Sequence, residues 1–302
     1  MTNNDTNVKA KTILERVAAG DLLISDGATG TYLQQHGLEP GGCPEEFNAS
    51  HPEVIKGMAK SYFDAGSDMV LTNTFGGSRF MQKKYGFEAR VSEFNRLAVE
   101  HAKTQIPDSS HYVVGSIGPT GEFIAPLGEV SESEMYDSMT EQAVAMAQGG
   151  ADAILIETQM AIEEAVIGVK AIKDNTDLPV FATMVFDKGP RGFFTMMGVT
   201  PERGVTELRE AGADIVGANC GNGIDAMVEL AQQMRVVDDG YMMIQSNAGI
   251  PDLKNGEVVY NESPEFMAER FKTLADMGFN ILGGCCGTGP DHIRALSKLF
   301  RG

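Results

Sequence analysis

The chain has 302 residues, 42% of them hydrophobic and 22% charged, enough apolar material to bury a full core. Its 24 Lys and Arg stand against 42 Asp and Glu, a formal net charge of −18 that phosphate backbones and anionic lipid would repel. Nucleic acid and membrane surfaces are thereby excluded as expected partners, and the acidity reads as a source of solubility.

The opening "MTNNDTNVKAKTILERVAAGDLL" lacks a basic stretch followed by an apolar one, so no secretory leader is expected. No run approaches the ~18 uninterrupted apolar residues of a membrane span. Four cysteines, Cys43, Cys220, Cys285 and Cys286, are too few for a disulfide scaffold of this size, and a reducing cytoplasmic setting is expected.

Eight short apolar or β-branched runs follow one another along the chain. They are "LLISD" (22–26), "DMVLTN" (68–73), "YVVGSIG" (112–118), "AILIET" (153–158), "VFATMVF" (180–186), "DIVGANC" (214–220), "YMMIQSN" (241–247) and "NILGGCC" (280–286). Between them lie segments of helical periodicity such as "PEVIKGMAKSYFDAG" and "PEFMAERFKTLADMG". The joints repeat: "DAGSD", "QGGAD", "EAGAD" and "DMGFN" each put a glycine where a helix should end in the left-handed conformation. Nearly continuous apolar strands imply parallel strands buried on both faces. Eight β-then-α units predict a single-domain (β/α)8 TIM barrel over residues 1–302, with an open doubly wound sheet as the alternative.

In such a barrel the chemistry collects where the strands end. The first run ends in Asp26-Gly27-Ala28, the second in Thr72-Asn73-Thr74 and the fourth in Glu157-Thr158. The sixth ends in Asn219-Cys220-Gly221, the seventh in Ser246-Asn247 and the eighth in Cys285-Cys286-Gly287. Vicinal cysteines make a strained disulfide, whereas three thiolates at one rim suit a borderline-soft ion such as Zn2+ and leave a fourth vertex open. The competing reading is that Cys220, Cys285 and Cys286 are small buried hydrophobes. Cys43 has no evident partner, and His36, His51, His101 and His111 share no strand end. His292, in "GPDHI", is expected to support a helix start. The pairs Met196-Met197 and Met242-Met243 read as core filler. "GNG" (221–223) and "GTG" (287–289) complete no nucleotide-binding signature.

Together, "DGATGT" (26–31), "TNTF" (72–75), "GSIGP" (115–119), "IET" (156–158), "GANCG" (217–221), "SNAGIP" (246–251) and "GGCCGTGPDHI" (283–293) resemble the zinc-dependent homocysteine S-methyltransferase family. That family includes betaine–homocysteine methyltransferase and the homocysteine-binding module of cobalamin-dependent methionine synthase. The resemblance implies zinc on Cys220, Cys285 and Cys286, and an amino-group site at Asp26 and Glu157. It places the substrate carboxylate on the backbone amides of Gly27 and Ala28, helped by Thr72, and lets Asn247 close the zinc shell before substrate arrives. No side chain beyond the zinc site is required as a catalytic base. The expected reaction moves a methyl group onto the homocysteine thiol to give methionine.

The stretches "TNTFGGS" (72–78) and "SNAGIP" (246–251) look closer to the methionine synthase branch, so the expected donor is a methyl-corrinoid (methylcobalamin) protein acting in trans. With the chain ending soon after its eighth helix, no folate- or cobalamin-binding module is expected within it. S-methylmethionine or S-adenosylmethionine is the alternative donor, and a non-catalytic zinc- or thiol-binding module the alternative function. Glycine betaine is disfavoured: the chain has no tryptophan, and Gly76 and Thr158 stand where the betaine enzyme has aromatic residues.

Overall fold

The computed structural model describes residues 11–254 and 257–302. All eight runs form strands: β1 (Leu23–Ile24), β2 (Met69–Leu71), β3 (Tyr112–Ile117), β4 (Ala153–Gln159), β5 (Val180–Met184), β6 (Ile215–Cys220), β7 (Met242–Ser246) and β8 (Ile281–Gly284). They are parallel, in the order β1-β8-β7-β6-β5-β4-β3-β2, and a helix of ten or more residues separates each from the next. Only β1 and β2 lack a regular ladder, and polar groups bridge that seam. Asp68 N–H donates to Ile24 O (2.7 Å), while Leu71 N–H donates to Asp26 Oδ2 (2.7 Å). Side-chain carboxyl groups thus replace missing backbone acceptors, and the structure is a (β/α)8 barrel rather than an open sheet.

The four glycine joints behave as expected: Gly66, Gly150, Gly212 and Gly278 have φ of 103°, 89°, 102° and 83°. The residue two places further on does something the pattern did not announce. Asp68, Asp152, Asp214 and Asn280 each accept, through the side chain, an N–H from one of the first two residues of the preceding barrel strand, from Ile24, Val113, Val180 and Met242 respectively. Each also donates its own N–H to that same residue's carbonyl. Lys103 and Lys173 neutralise Asp152 and Asp214 at 2.6 Å each. The joint is therefore a clamp that sets strand register at the closed end of the barrel.

Alternation divides the strands. Leu23, Met69, Tyr112, Leu155, Phe181 and Ile281 meet inside the barrel, where Ile13 and Val17 of the first helix plug the end. Their neighbours Ile24, Val70, Ile154, Val216 and Leu282 pack outward on the helices. Met242 and Met243 are buried in these two layers, as expected. Met196 and Met197 are not core: they are 75% and 36% exposed, on the loop that follows a short hairpin pairing residues 187–189 with 192–194. A second hairpin pairs residues 252–254 with 257–259. Both hairpins follow barrel strands and stand at the mouth. Their three-residue arms are too short to stand out as apolar runs. Among the described residues no helix is long and apolar enough to cross a membrane.

Candidate metal centre and substrate pocket

Towards the mouth the barrel interior turns polar. Continuing the inward alternation places Ser116, Glu157, Thr183, Asn219 and Gln245 above the apolar layer, all nearly or fully buried. Alternation alone would turn Cys220 away from the mouth. Its φ of 62°, rare for a residue with a side chain, turns it back, and Thr158 at the end of β4 does the same with φ 58°.

The sulfurs of Cys220, Cys285 and Cys286 all lie within 4.8 Å of one another, and Cys220 Sγ is 2.9 Å from Cys285 Sγ. β6 and β8 are not adjacent; β7 separates them, and Asn247 at its end ties the two cysteine loops. Asn247 Oδ1 accepts Cys286 N–H (3.0 Å) and its Nδ2 donates to Gly221 O (2.9 Å). The amide expected near the metal is thus engaged as a strut between ligand loops.

Left to themselves, three crowded thiols cannot all ionise. Cys286 is held down to about 3 by hydrogen bonds from the Cys220 and Cys285 thiols, with the Tyr260 hydroxyl contributing. Cys220 and Cys285 are pushed well above the ordinary thiol range; Cys285 is raised chiefly by its hydrogen bonds with Cys220 and Cys286. Only a cation would let all three carry charge together, and an all-sulfur donor set fits a borderline-soft divalent ion. Cys43 lies elsewhere, beside Glu45 and Gln82, and burial raises its thiol to about 11.

Asp26 and Glu157 are the two buried carboxyl groups beside this cluster. Glu157 Oε1 accepts the Ser116 hydroxyl at 2.5 Å and Oε2 accepts Asn219 Nδ2 at 3.2 Å. Burial raises Glu157 to about 7, against the pull of Ser116, with Cys286 charge adding to the rise. Burial likewise raises Asp26 to about 7, opposed by Leu71 N–H and Ser25 and helped upward by Glu157. Each feels a negative neighbour, so a ligand ammonium between them would relieve both.

The carboxylate side is less open than the sequence suggested. Ala28 N–H already donates to Thr288 O (2.9 Å), while Gly27 N–H has no partner among the described residues. Thr72 is embedded in a chain in which its hydroxyl accepts Ser116 N–H (3.1 Å) and donates to Thr74 Oγ1 (2.6 Å), which in turn donates to Ser116 O (2.7 Å). Gly27 is needed for close approach: a Cβ there would lie 2.7 Å from both Thr288 O and Thr288 Oγ1. Gly27→Ala should therefore push back the turn that follows the vicinal cysteines. The expected cost is about 1–3 kcal/mol in folding stability, with weakened metal retention, read by thermal melts and chelator competition.

Two residues escaped the sequence reading, and a third, Asn219, was placed at a strand end but given no role. Asn219 is fully buried against Glu157, Thr158 and two sulfurs, and could have been suspected from alternation along β6. Tyr260, on the loop after the second hairpin, helps to lower the Cys286 thiol and supplies an aromatic ring despite the absence of tryptophan. Tyr62, from the helix Pro52–Ala65, ties Ala28 O (2.7 Å) and Thr288 O (3.3 Å). No local pattern announced these last two. Tyr62, Tyr260, Ala28 and Thr288 also line a cavity of about 290 Å³ along the turn Gly287–Pro290 that follows the cysteines; neither a cysteine nor either acid is part of its lining. His292 supports the last helix as expected: Nδ1 accepts Gly289 N–H (3.2 Å), so Nε2 donates to Glu262 O (3.0 Å).

A closed parallel barrel thus carries three convergent thiols that could hold a metal ion, with two buried acids beside them at its mouth. Residues 23–300 match the homocysteine S-methyltransferase family, and the chain belongs to it. It is 31% identical over 320 residues to methionine synthase of Mycobacterium tuberculosis, covering 98% of this chain and 26% of that protein. It is 30% identical to methionine synthase of Mycobacterium leprae, covering 95% and 25%. The chain thus spans about a quarter of the length of these curated relatives. In fold it matches the metallated form of the homocysteine methyltransferase MmuM from Escherichia coli, with TM-score 0.79, 19% identity and coverage of 95% and 99%.

Proposed function

We propose that this barrel is a zinc-dependent S-methyltransferase that methylates the thiol of homocysteine to give methionine. One observation carries the reading: three sulfurs from two non-adjacent strands lie within 4.8 Å of one another, beside two buried carboxyl groups. Cys220, Cys285 and Cys286 would hold the zinc, which when bound supplies a Lewis-acidic vertex that favours a deprotonated substrate thiol.

The chain's own groups do the remaining work. Asp26 and Glu157 bind the substrate ammonium, and the free amide of Gly27 is the available donor to its carboxylate. Anchoring both groups on the α-carbon leaves the side chain to carry the thiol to the sulfur cluster, converting a bimolecular encounter into a positioned one. Asn219 donates towards the Cys220 and Cys285 sulfurs and Tyr260 favours the ionised Cys286, and both limit the charge carried by the cysteines. No side-chain base is needed, consistent with the site's histidine serving the helix start.

The likeness to methionine synthases over nearly the whole chain supports a methyl-corrinoid protein as donor. Zinc-loaded protein and homocysteine, offered methyl-corrinoid protein, free methylcobalamin, S-methylmethionine or betaine in turn, test this directly. Methionine should accumulate with the corrinoid donors. Turnover with S-methylmethionine or betaine alone would overturn the donor assignment, and no methylation with any donor would leave a zinc- or thiol-binding module.

A further inference from the structure

Asn219 is fully buried, yet its amide touches both ends of the proposed site. Its orientation is fixed by chemistry. Thr158 N–H, a donor only, lies 2.8 Å from Oδ1, and the Thr183 hydroxyl donates to the same oxygen at 2.8 Å. Nδ2 must then face the other way, 3.2 Å from Glu157 Oε2 and 2.7 Å from Thr158 Oγ1. It also stands 3.8 Å from Cys220 Sγ and 3.8 Å from Cys285 Sγ. Two N–H bonds serve four acceptors, so what one acceptor gains another gives up.

We propose that Asn219 is a positioning residue that couples the amino-group end of the substrate site to the metal-holding cysteines. The inference rests on the functional reading above and deepens it. With the pocket empty, the Glu157 carboxylate competes for the amide. When a substrate ammonium takes over that carboxylate, the N–H is released towards the Cys220 and Cys285 sulfurs. Donors to ligand sulfurs withdraw charge from them and steady the metal site. Binding at one end therefore strengthens the other, and the effect is reciprocal.

The backbone supports the same role. Thr158 and Cys220 are the non-glycine residues with left-handed φ among the described residues, 58° and 62°. Asn219 holds Thr158 at both its N–H and its hydroxyl, and is itself the residue preceding Cys220. One side chain thus fixes the rim geometry that aims the sixth-strand sulfur at the mouth.

The test compares the parent protein with Asn219→Ala, Glu157→Gln and the double variant. Zinc affinity is read by chelator competition, the thiolate charge-transfer band after Co2+ substitution, and homocysteine affinity by calorimetry. Asn219→Ala should weaken zinc and homocysteine by about tenfold or more each and shift the Co2+ band. Glu157→Gln should weaken homocysteine while leaving zinc within about twofold. The double variant should lose less homocysteine affinity than the product of the single losses. If Asn219→Ala does not fold, Thr183→Val, which removes one bond to Oδ1, should weaken both constants to a smaller extent. A parent that binds both ligands, with unchanged zinc affinity in whichever of Asn219→Ala and Thr183→Val folds, overturns the coupling and spares the functional reading. A parent that binds neither ligand overturns both.

Discussion

Cys285→Ala should yield a folded protein that holds no stoichiometric zinc and transfers methyl groups at least about a thousandfold more slowly, the rate equivalent of ~4 kcal/mol. The two halves of that expectation have separate causes. Cys285 Sγ is 2.9 Å from Cys220 Sγ and one peptide bond from Cys286, so it is the sulfur that joins the two ligand loops. Two thiolates remaining on separate strands cannot satisfy a four-coordinate ion without two further ligands. The fold, by contrast, is carried by apolar layers inside and outside the strands, far below the rim. Truncating one partly buried thiol on a loop removes only a single sulfur from the buried surface, unlike the case of a zinc finger whose folding energy is its metal energy. Elemental analysis, a circular-dichroism melt and a methylation assay on the same preparation separate these effects. Full activity in demonstrably zinc-free Cys285→Ala would refute the mechanism.

The barrel and its sulfur cluster were legible because each leaves a local mark. Strands buried on both faces read as continuous apolar runs, helix ends as glycines, and ligand thiols as cysteines at the ends of those runs. What stayed hidden depends on atoms brought together from remote segments. The carboxylate of Asp68 looks like a loop acid, but it caps Ile24 N–H across 44 residues. Tyr260 reaches Cys286 from a loop with no distinguishing composition. Ala28 looked like a free donor because Thr288, which occupies it, lies 260 residues away. Met196 and Met197 looked like core because a Met pair carries no sign of which side of a hairpin it faces. Periodicity reports burial of a whole element, not the occupancy of a single lone pair.

Glu157→Gln should weaken homocysteine binding by about ten- to a hundredfold while making the metal-free protein more stable at pH 8, and both effects come from one buried charge. The folded-state Glu157 is raised from 4.5 to about 7 because burial disfavours its ionised form. A raised carboxyl contributes stability that is fully present below pH 4.5 and is lost as pH rises through 7, to a limit of about 3 kcal/mol. Glutamine carries no such penalty, though it cannot accept from both Ser116 and Asn219 and forfeits about 1 kcal/mol in one hydrogen bond. The variant should therefore melt higher than the parent at pH 8 and no higher at pH 5. Substrate affinity moves in the opposite sense. An ammonium needs the ionised carboxylate, so parent affinity should rise as pH climbs from 6 to 8, with Asp26, also raised to about 7, contributing to the same rise. Glu157→Gln should flatten part of that profile and Asp26→Asn another part. The Asp26 change should also cost stability, since Asp26 Oδ2 accepts Leu71 N–H at the β1–β2 seam. Calorimetric titrations across that pH range decide the matter: dissociation constants unchanged in both variants would remove the pair from the amino-group role. A stabilised but substrate-blind Glu157→Gln would show the charge is kept buried for binding, at the expense of the fold.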